Sequence, residues 1–406
     1  MACSSNDMNG LEGLDGEAAP SPQVEELPAV LREIYLGFLD HEEKCDNDDE
    51  DDEAEEGAEE EKLYRSKVGG YVDWLAKLSS PPLCPGTCRA PMPLFVQIYA
   101  PLDAVNPNAY HRFLYVFACP SVRCHDRASP YAVLRYQQPR SSARVPLLLC
   151  PGRRIGDSQL AQLSALGPLC PVCGHAAPMR CGRCKAQQYC SREHQVKHWK
   201  GGHSTKCSPV ASSPAGEGRQ PEKEKGGGSV EGLLDGWPSF EICTESEKEL
   251  LEAAEDSMQQ RLRDQKIATQ GAAQALKNEQ KGVDVRDEDF EQNKEHIDKQ
   301  TLRFQQRVSV APDQVLRYGH PVMWVHSSNQ PLPSMIPDCA NCGSPRRYEY
   351  QILPQLLYYL RVDHKSPRDS AVSINFSTIA VYTCSASCDP PFGLAYSPEF
   401  LWIQHE

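Results

Sequence analysis

Eight soft or borderline metal donors lie within 38 residues: Cys170-x2-Cys173-x7-Cys181-x2-Cys184-x5-Cys190-x3-His194-x8-His203-x3-Cys207. Thiolates and imidazoles at such intervals are the donors of tetrahedral zinc, and eight of them suffice for two closed sites. So short a segment has no room for a conventional hydrophobic core, so its fold must come from the metal. Two further sets of four cysteines flank it: Cys84, Cys88, Cys119 and Cys124 before, and Cys339, Cys342, Cys384 and Cys388 after. Each set suits one structural Zn2+, although Cys84-x3-Cys88 is a residue longer than the usual knuckle. Four protein ligands leave no open position for water or substrate, so none of these metals is expected to be catalytic. The clusters take up 14 of the 18 cysteines; Cys3, Cys45, Cys150 and Cys243 read as ordinary thiols.

The outer sets need a scaffold, and the sequence repeats one. The first copy runs from Cys84 and Cys88 to Gln97 in Phe-Val-Gln-Ile-Tyr, and then to Cys119 and Cys124. The second runs from Cys339 and Cys342 to Gln351 in Glu-Tyr-Gln-Ile-Leu, and then to Cys384 and Cys388. Each copy has a Gly and then a Trp upstream (Gly70 and Trp74, Gly319 and Trp324), and a Pro just after the Gln strand (Pro101, Pro354). Alternating aromatic and branched runs at 34–39, 94–100, 113–118, 145–150, 348–353 and 379–383 read as strands. The expected class is α+β, mainly β: two related zinc-bearing β units packed pseudo-symmetrically, with the central zinc module inserted between them. Residues 1–30 read as a disordered tail, and 31–160 as the N-terminal β unit with an acidic insertion at 46–61. Residues 168–207 are the central module, 208–240 a flexible linker rich in Ser, Pro and Gly, and 241–306 a charged helical segment. Residues 307–406 complete the chain as the C-terminal β domain.

Charge narrows the partners. The formal net charge is −14, and Asp46–Glu61 holds twelve acids and no base, so the remainder sums to about −2. Phosphate attraction needs a positive surface, so no direct DNA binding is expected. No run approaches the roughly 18 apolar residues of a membrane span, and no signal-peptide pattern opens the sequence, so a soluble chain inside the cell is expected. There is no glycine-rich phosphate loop, no Gly-x-Ser-x-Gly elbow and no His-Glu-x-x-His, so no enzymatic activity is expected.

The central spacing, with Tyr189 before Cys190 and Trp199 after His194, resembles the MYND zinc finger. That resemblance implies interleaved binding of two Zn2+, with Cys170, Cys173, Cys190 and His194 on one and Cys181, Cys184, His203 and Cys207 on the other. Most such fingers carry Cys where His194 stands. His198, four residues on, is the rival ligand, with a structural place beside Trp199 the preferred reading.

Over nearly its whole length the chain is similar to the programmed cell death protein 2 family. The motifs are Leu36-Gly37-Phe38, Ser66 through Gly70 to Trp74-Leu75, Phe95 through Pro101, and His111 through Phe117. They continue with Pro312 through Gly319, Pro321-x2-Trp324, Tyr350 through Leu357, and Glu399-Phe-x-Trp402. The resemblance implies a dedicated chaperone that escorts a newly made basic ribosomal protein of the small subunit and supports 40S ribosome biogenesis. A monomer bound to its client is expected, in the cytoplasm, with nuclear transit open because pre-40S particles begin there, although no convincing basic import signal stands out. The competing expectation is a scaffold whose zinc finger docks proline-containing peptides of transcriptional regulators. The acidic tract reads either as a solvated, disordered segment with no specific task or, more sharply, as a counter-surface for a basic partner.

Overall fold

Runs such as His111–Ala118 are apolar at nearly every position, the pattern of a strand covered on both faces. The computed structural model describes residues 27–42, 64–77, 91–121, 124, 130–142, 144, 146, 166–208, 236–254, 298–360 and 374–405. In chain order its strands are β1 (Tyr35–Glu42), β2 (Lys67–Val68), β3 (Leu94–Tyr99), β4 (His111–Ala118), β5 (Tyr131–Gln138) and β6 (Met179–Arg180). They continue with β7 (Gln188–Tyr189), β8 (Phe240–Ser246), β9 (Leu316–Tyr318), β10 (Arg346–Ile352), β11 (Thr378–Cys384) and β12 (Tyr396–Gln404).

Ten of these close one antiparallel barrel in the order β1-β8-β2-β3-β4-β5-β12-β11-β10-β9, while β6 and β7 pair within the central module. The two β units expected from the sequence are therefore joined in one sheet: β2 to β5 form one meander, β9 to β12 the other, and β5 pairs with β12 directly. Closure leaves few open edges, which otherwise invite pairing with other chains.

Alternation along the strands sorts the side chains. Leu114, Val116 and Ala118 of β4 join Phe95 and Ile98 of β3, Tyr350 and Ile352 of β10, and Ile379 and Val381 of β11 in the main core. Phe113, Tyr115 and Phe117 point the other way, into a second cluster with Val72, Trp74 and Tyr396. On the far side Tyr348, Ala380 and Tyr382 meet Val322, Trp324, Phe400 and Trp402. Each meander is thus covered on its outer face by its own upstream Trp segment.

The core also holds ion pairs. Arg112 reaches Glu349 with two bonds of 2.6 and 2.8 Å, both side chains fully buried, and Tyr318 and Thr383 donate their hydroxyls to the same carboxylate. Arg135 and Arg346 share Glu399, tying β5 and β10 to β12. Such pairs align strands from distant parts of the chain more than they add net stability.

Several sequence expectations need correction. The segment 241–306, read as helical, opens as strand β8 and only then turns helical at residues 247–254; a second helix spans Lys299–Val308. In β8 only Ile242 is buried, so pairing with β1 and β2, not composition, makes it a strand. The segment 208–240, read as linker, ends in ordered chain, with Trp237 buried in the main core. Strands β5 and β12 were not anticipated. The acidic insertion 46–61 and most of the strand expected at 145–150 lie outside the described residues. Among the described residues no helix is long and apolar enough to cross a membrane.

Candidate metal centres and a cleft in the barrel wall

Three Cys-x2-Cys turns share one local geometry. The amide four residues after the first Cys bonds back to that Cys carbonyl: Gly174 to Cys170 (2.8 Å), Lys185 to Cys181 (2.9 Å) and Gly343 to Cys339 (2.8 Å). That closing residue has positive φ each time, at 71°, 52° and 74°. Glycine fits there freely; Lys185 occupies the left-handed region with a side chain.

The partners then converge. Cys170, Cys173, Cys190 and His194 form one four-donor set, and Cys181, Cys184, His203 and Cys207 form another, with all donor atoms of a set within 4.8 Å of one another. Cys339, Cys342, Cys384 and Cys388 form a third by the same measure. A tetrahedral ion with Zn–S of about 2.3 Å places its sulfurs about 3.8 Å apart. The observed separations are 3.4 Å for Cys173–Cys190, 3.8 Å for Cys181–Cys207, 3.7 Å for Cys339–Cys388, 3.5 Å for Cys342–Cys384 and 3.8 Å for Cys384–Cys388. All three sets therefore fit zinc. Within each set the thiols divide: the Ser344 hydroxyl and amide hold Cys342 down to about 6 and the Cys184 amide leads in holding Cys181 to about 6, while burial pushes Cys388 up to about 12 and Cys207 up to about 11, so metal binding must displace protons from the raised thiols.

The two histidine ligands use different nitrogens. His194 presents Nδ1, 3.1 Å from the Cys190 sulfur, and His203 presents Nε2, 3.6 Å from Cys184. His194 lies in the first turn of a short helix, Arg192–His198, whose cap Ser191 accepts the His194 amide. The rival His198 stays outside both sets. Its Nδ1 meets the Tyr189 hydroxyl at 3.0 Å and its ring stacks on His203. Its place is structural.

The finger is bolted to the barrel. The Trp74 indole donates to the Gly174 carbonyl (2.9 Å), and the Tyr71 hydroxyl donates to the Pro171 carbonyl (2.9 Å). His175 packs edge-on against Trp74 and lies beside Phe117; burial lowers its pKa, so it sits there neutral. No feature of the sequence had marked Trp74, Tyr71 or His175 as an anchor. Of the expected N-terminal set, Cys119 and Cys124 are buried at the end of β4, while Cys84 and Cys88 lie outside the described residues.

A different kind of site opens where the two meanders meet β1 and β8. Strand β2 is two residues long, and its pairing with β8 ends at Lys67–Glu241, followed by one more bond from the Ile242 amide to Ser66. Beyond it lies a cleft of about 700 Å3. Its walls come from the first meander and the segment before it (Tyr64, Arg65, Ser66, Ile98 to Pro101, Tyr110, His111), from the second (Leu316, Tyr318) and from the β1–β8 ribbon (Tyr35, Glu241 to Thr244); Arg65, the one Arg or Lys side chain in the lining, pairs with buried Asp73 at 3.5 Å. Tyr64 stacks on His111 at 4.0 Å between centroids, with Tyr99 and Tyr110 packed against the same pair. Glu241, Glu245 and Asp40 are exposed on the ribbon, and a second hollow of about 1050 Å3 beside it carries Glu33, Glu245, Glu249 and Glu252 with Arg32, Lys248 and Arg307.

Family models match over most of the chain: the N-terminal domain of Programmed cell death protein 2 at residues 33–146, its C-terminal domain at 298–405, and the MYND finger at 170–207. Programmed cell death protein 2 of cattle (Bos taurus) is 33% identical over 354 residues, 84% of this chain and 91% of that protein. The chain belongs to the programmed cell death protein 2 family. Programmed cell death protein 2-like of chicken (Gallus gallus) is 26% identical over 379 residues, covering 84% of the chain and 90% of that relative. A fission-yeast protein (Schizosaccharomyces pombe) named Probable 20S rRNA accumulation protein 4 is 30% identical over 132 residues, 29% of this chain and 31% of its own. No solved structure matches.

Proposed function

We propose that this member of the programmed cell death protein 2 family is a chaperone that holds a basic ribosomal protein of the small subunit until assembly. The observation that carries the reading is the cleft between the two meanders: aromatic within and carboxylate-edged outside, it suits a client built to meet RNA. In sequence the twelve acids of Asp46–Glu61 end three positions before Tyr64, a residue of the cleft wall. The family's fission-yeast relative, whose name speaks of 20S rRNA accumulation, supports the same direction.

Each four-donor set holds one structural Zn2+ in this reading, and Cys84 and Cys88 complete a fourth with Cys119 and Cys124. The meanders are read as copies related by an approximate two-fold axis. Gln97 accepts the amide of Asp73, just before Trp74, and Gln351 accepts the amide of Met323, just before Trp324. A Cβ at Gly69, past β2, would strike the Pro238 carbonyl two residues before β8, and one at Gly319, past β9, would strike the Glu33 carbonyl two residues before β1.

Native mass spectrometry of the chain, co-expressed with a basic small-subunit ribosomal protein, tests both parts. A one-to-one complex carrying three or four zincs is expected, and it should persist in a finger-face variant, Val196→Asp with Trp199→Ala. The scaffold reading has one observation in its favour, the exposure of Val196, Trp199 and Met179 on the finger. Loss of the complex in that variant, or no complex at all, would put the scaffold ahead.

A further inference from the structure

The cleft has a feature that its volume does not convey: one of its walls is a strand edge. Opposite Thr244 stands Gly37, whose carbonyl is turned to β9 and accepts the Val315 amide. Gly37 and Thr244 therefore exchange no bonds, and the Thr244 N–H and C=O face away from β1, on the side where the Ile242 amide meets Ser66. Among the described residues no strand pairs with β8 on that side beyond Glu241. An edge of this kind accepts an added strand. Its surroundings restrict which strand. Glu241 on the wall and Glu245 and Asp40 exposed on the same ribbon favour a cationic chain, the lining cation Arg65 being paired with Asp73, and the ring cluster of Tyr64, Tyr99, Tyr110 and His111 offers π-faces to a flat cation. The cluster already holds one such group, since the Arg140 guanidinium lies over the Tyr110 ring at 5.3 Å. Arginine, being planar and weakly hydrated, stacks on such faces better than lysine.

We propose that an extended arginine-bearing peptide segment adds as a strand to the open edge of β8, seating one guanidinium on the ring cluster around Tyr64. The inference rests on the reading of the protein as a holder of a basic client and names how that client is gripped. Backbone bonds to Thr244 supply a sequence-tolerant hold, and the rings and carboxylates select the cation.

The test uses the full zinc-loaded chain and two synthetic peptides, an (Arg-Gly)5 and its (Lys-Gly)5 counterpart, in fluorescence anisotropy and hydrogen–deuterium exchange. The arginine peptide should bind about fivefold tighter than the lysine one, and Tyr64→Leu should weaken it by about the same factor. On the unaltered chain the Thr244 amide should gain protection, and Thr244→Pro, which removes that N–H without breaking a β1–β8 bond, should weaken binding of both peptides. No binding, equal binding of the two peptides, or protection that spares β8 would overturn the proposal. Capture of the ribosomal protein is scored separately. If the unaltered chain and Tyr64→Leu capture it equally, the client reading stands and the strand site falls. If neither captures it, the client reading fails, and the peptide data still decide the cleft.

Discussion

His194 and His198 sit one helical turn apart, yet only one ring nitrogen can reach the Cys170 site, and the structure gives that place to His194 Nδ1. His194→Ala should therefore cost the chain one zinc under mild chelation, while His198→Ala keeps the full count and loses only the Tyr189 contact. Zinc release followed with a colorimetric chelator separates the two; equal release would return the ligand question to His198. The buried pair Arg112–Glu349 is the second residue-scale case. Burial opposes ionisation of Glu349, but the Arg112 guanidinium outweighs it and holds the carboxyl below its ordinary value. A depressed carboxylate contributes stability that is present above the ordinary value of about 4.3 and is lost as pH falls through the lower folded value. Glu349→Gln should cost about 3–5 kcal/mol at neutral pH by leaving Arg112 unpaired, whereas Arg112→Met with Glu349→Leu should restore most of it. The double variant should also lose this pair's share of the acid dependence below pH of about 4. Urea denaturation across pH measures both; a double variant as weak as the single one would mean that the network with Tyr318 and Thr383 matters more than the pair.

At the scale of elements, the central finger is not a bead on a string. Trp74 belongs to the segment that covers the first meander, and its indole both fills that cluster and holds the Gly174 carbonyl of the first zinc turn. Trp74→Ala removes a fully packed ring and should destabilise the barrel by about 3–5 kcal/mol. It should also raise hydrogen exchange in residues 170–177 relative to the second zinc site; exchange unchanged in that turn would show the finger standing on its own metal. Legibility in the sequence followed the range of the forces involved. Zinc turns are local, so spacing alone located Cys170 to Cys207 and Cys339 to Cys388. Apolar strands such as β4 and β11 were legible because burial on both faces leaves an unbroken apolar run. Strand β8 was not, because Phe-Glu-Ile-Cys-Thr-Glu-Ser buries only Ile242 and is strand only because β1 and β2 lie beside it. Neither was the joining of the two halves, since β5 with β12 is a pairing across more than 250 positions of chain that no local pattern announces.

On the scale of the whole molecule, charge is arranged by position more than by amount. The chain sums to −14, and nearly all of that sits in Asp46–Glu61, between the end of β1 at Glu42 and the cleft wall at Tyr64. A tract of this density raises the encounter rate of a cationic partner over a range set by the Debye length, about 10 Å at 0.1 M salt, without adding a specific contact. In the proposed reading, contacts in the cleft govern escape instead, because most affinity differences within one interface lie in the off-rate. Deleting Asp46–Glu61 should therefore slow capture of a basic ribosomal protein about tenfold or more at low salt and flatten the salt dependence of the on-rate, with the off-rate little changed. Tyr64→Leu should do the reverse, raising the off-rate while the on-rate keeps its salt slope. Stopped-flow association at several salt concentrations resolves the two. On-rates that do not fall at low salt would remove the tract from capture, and the acidic rim of β8 would then have to supply the attraction alone.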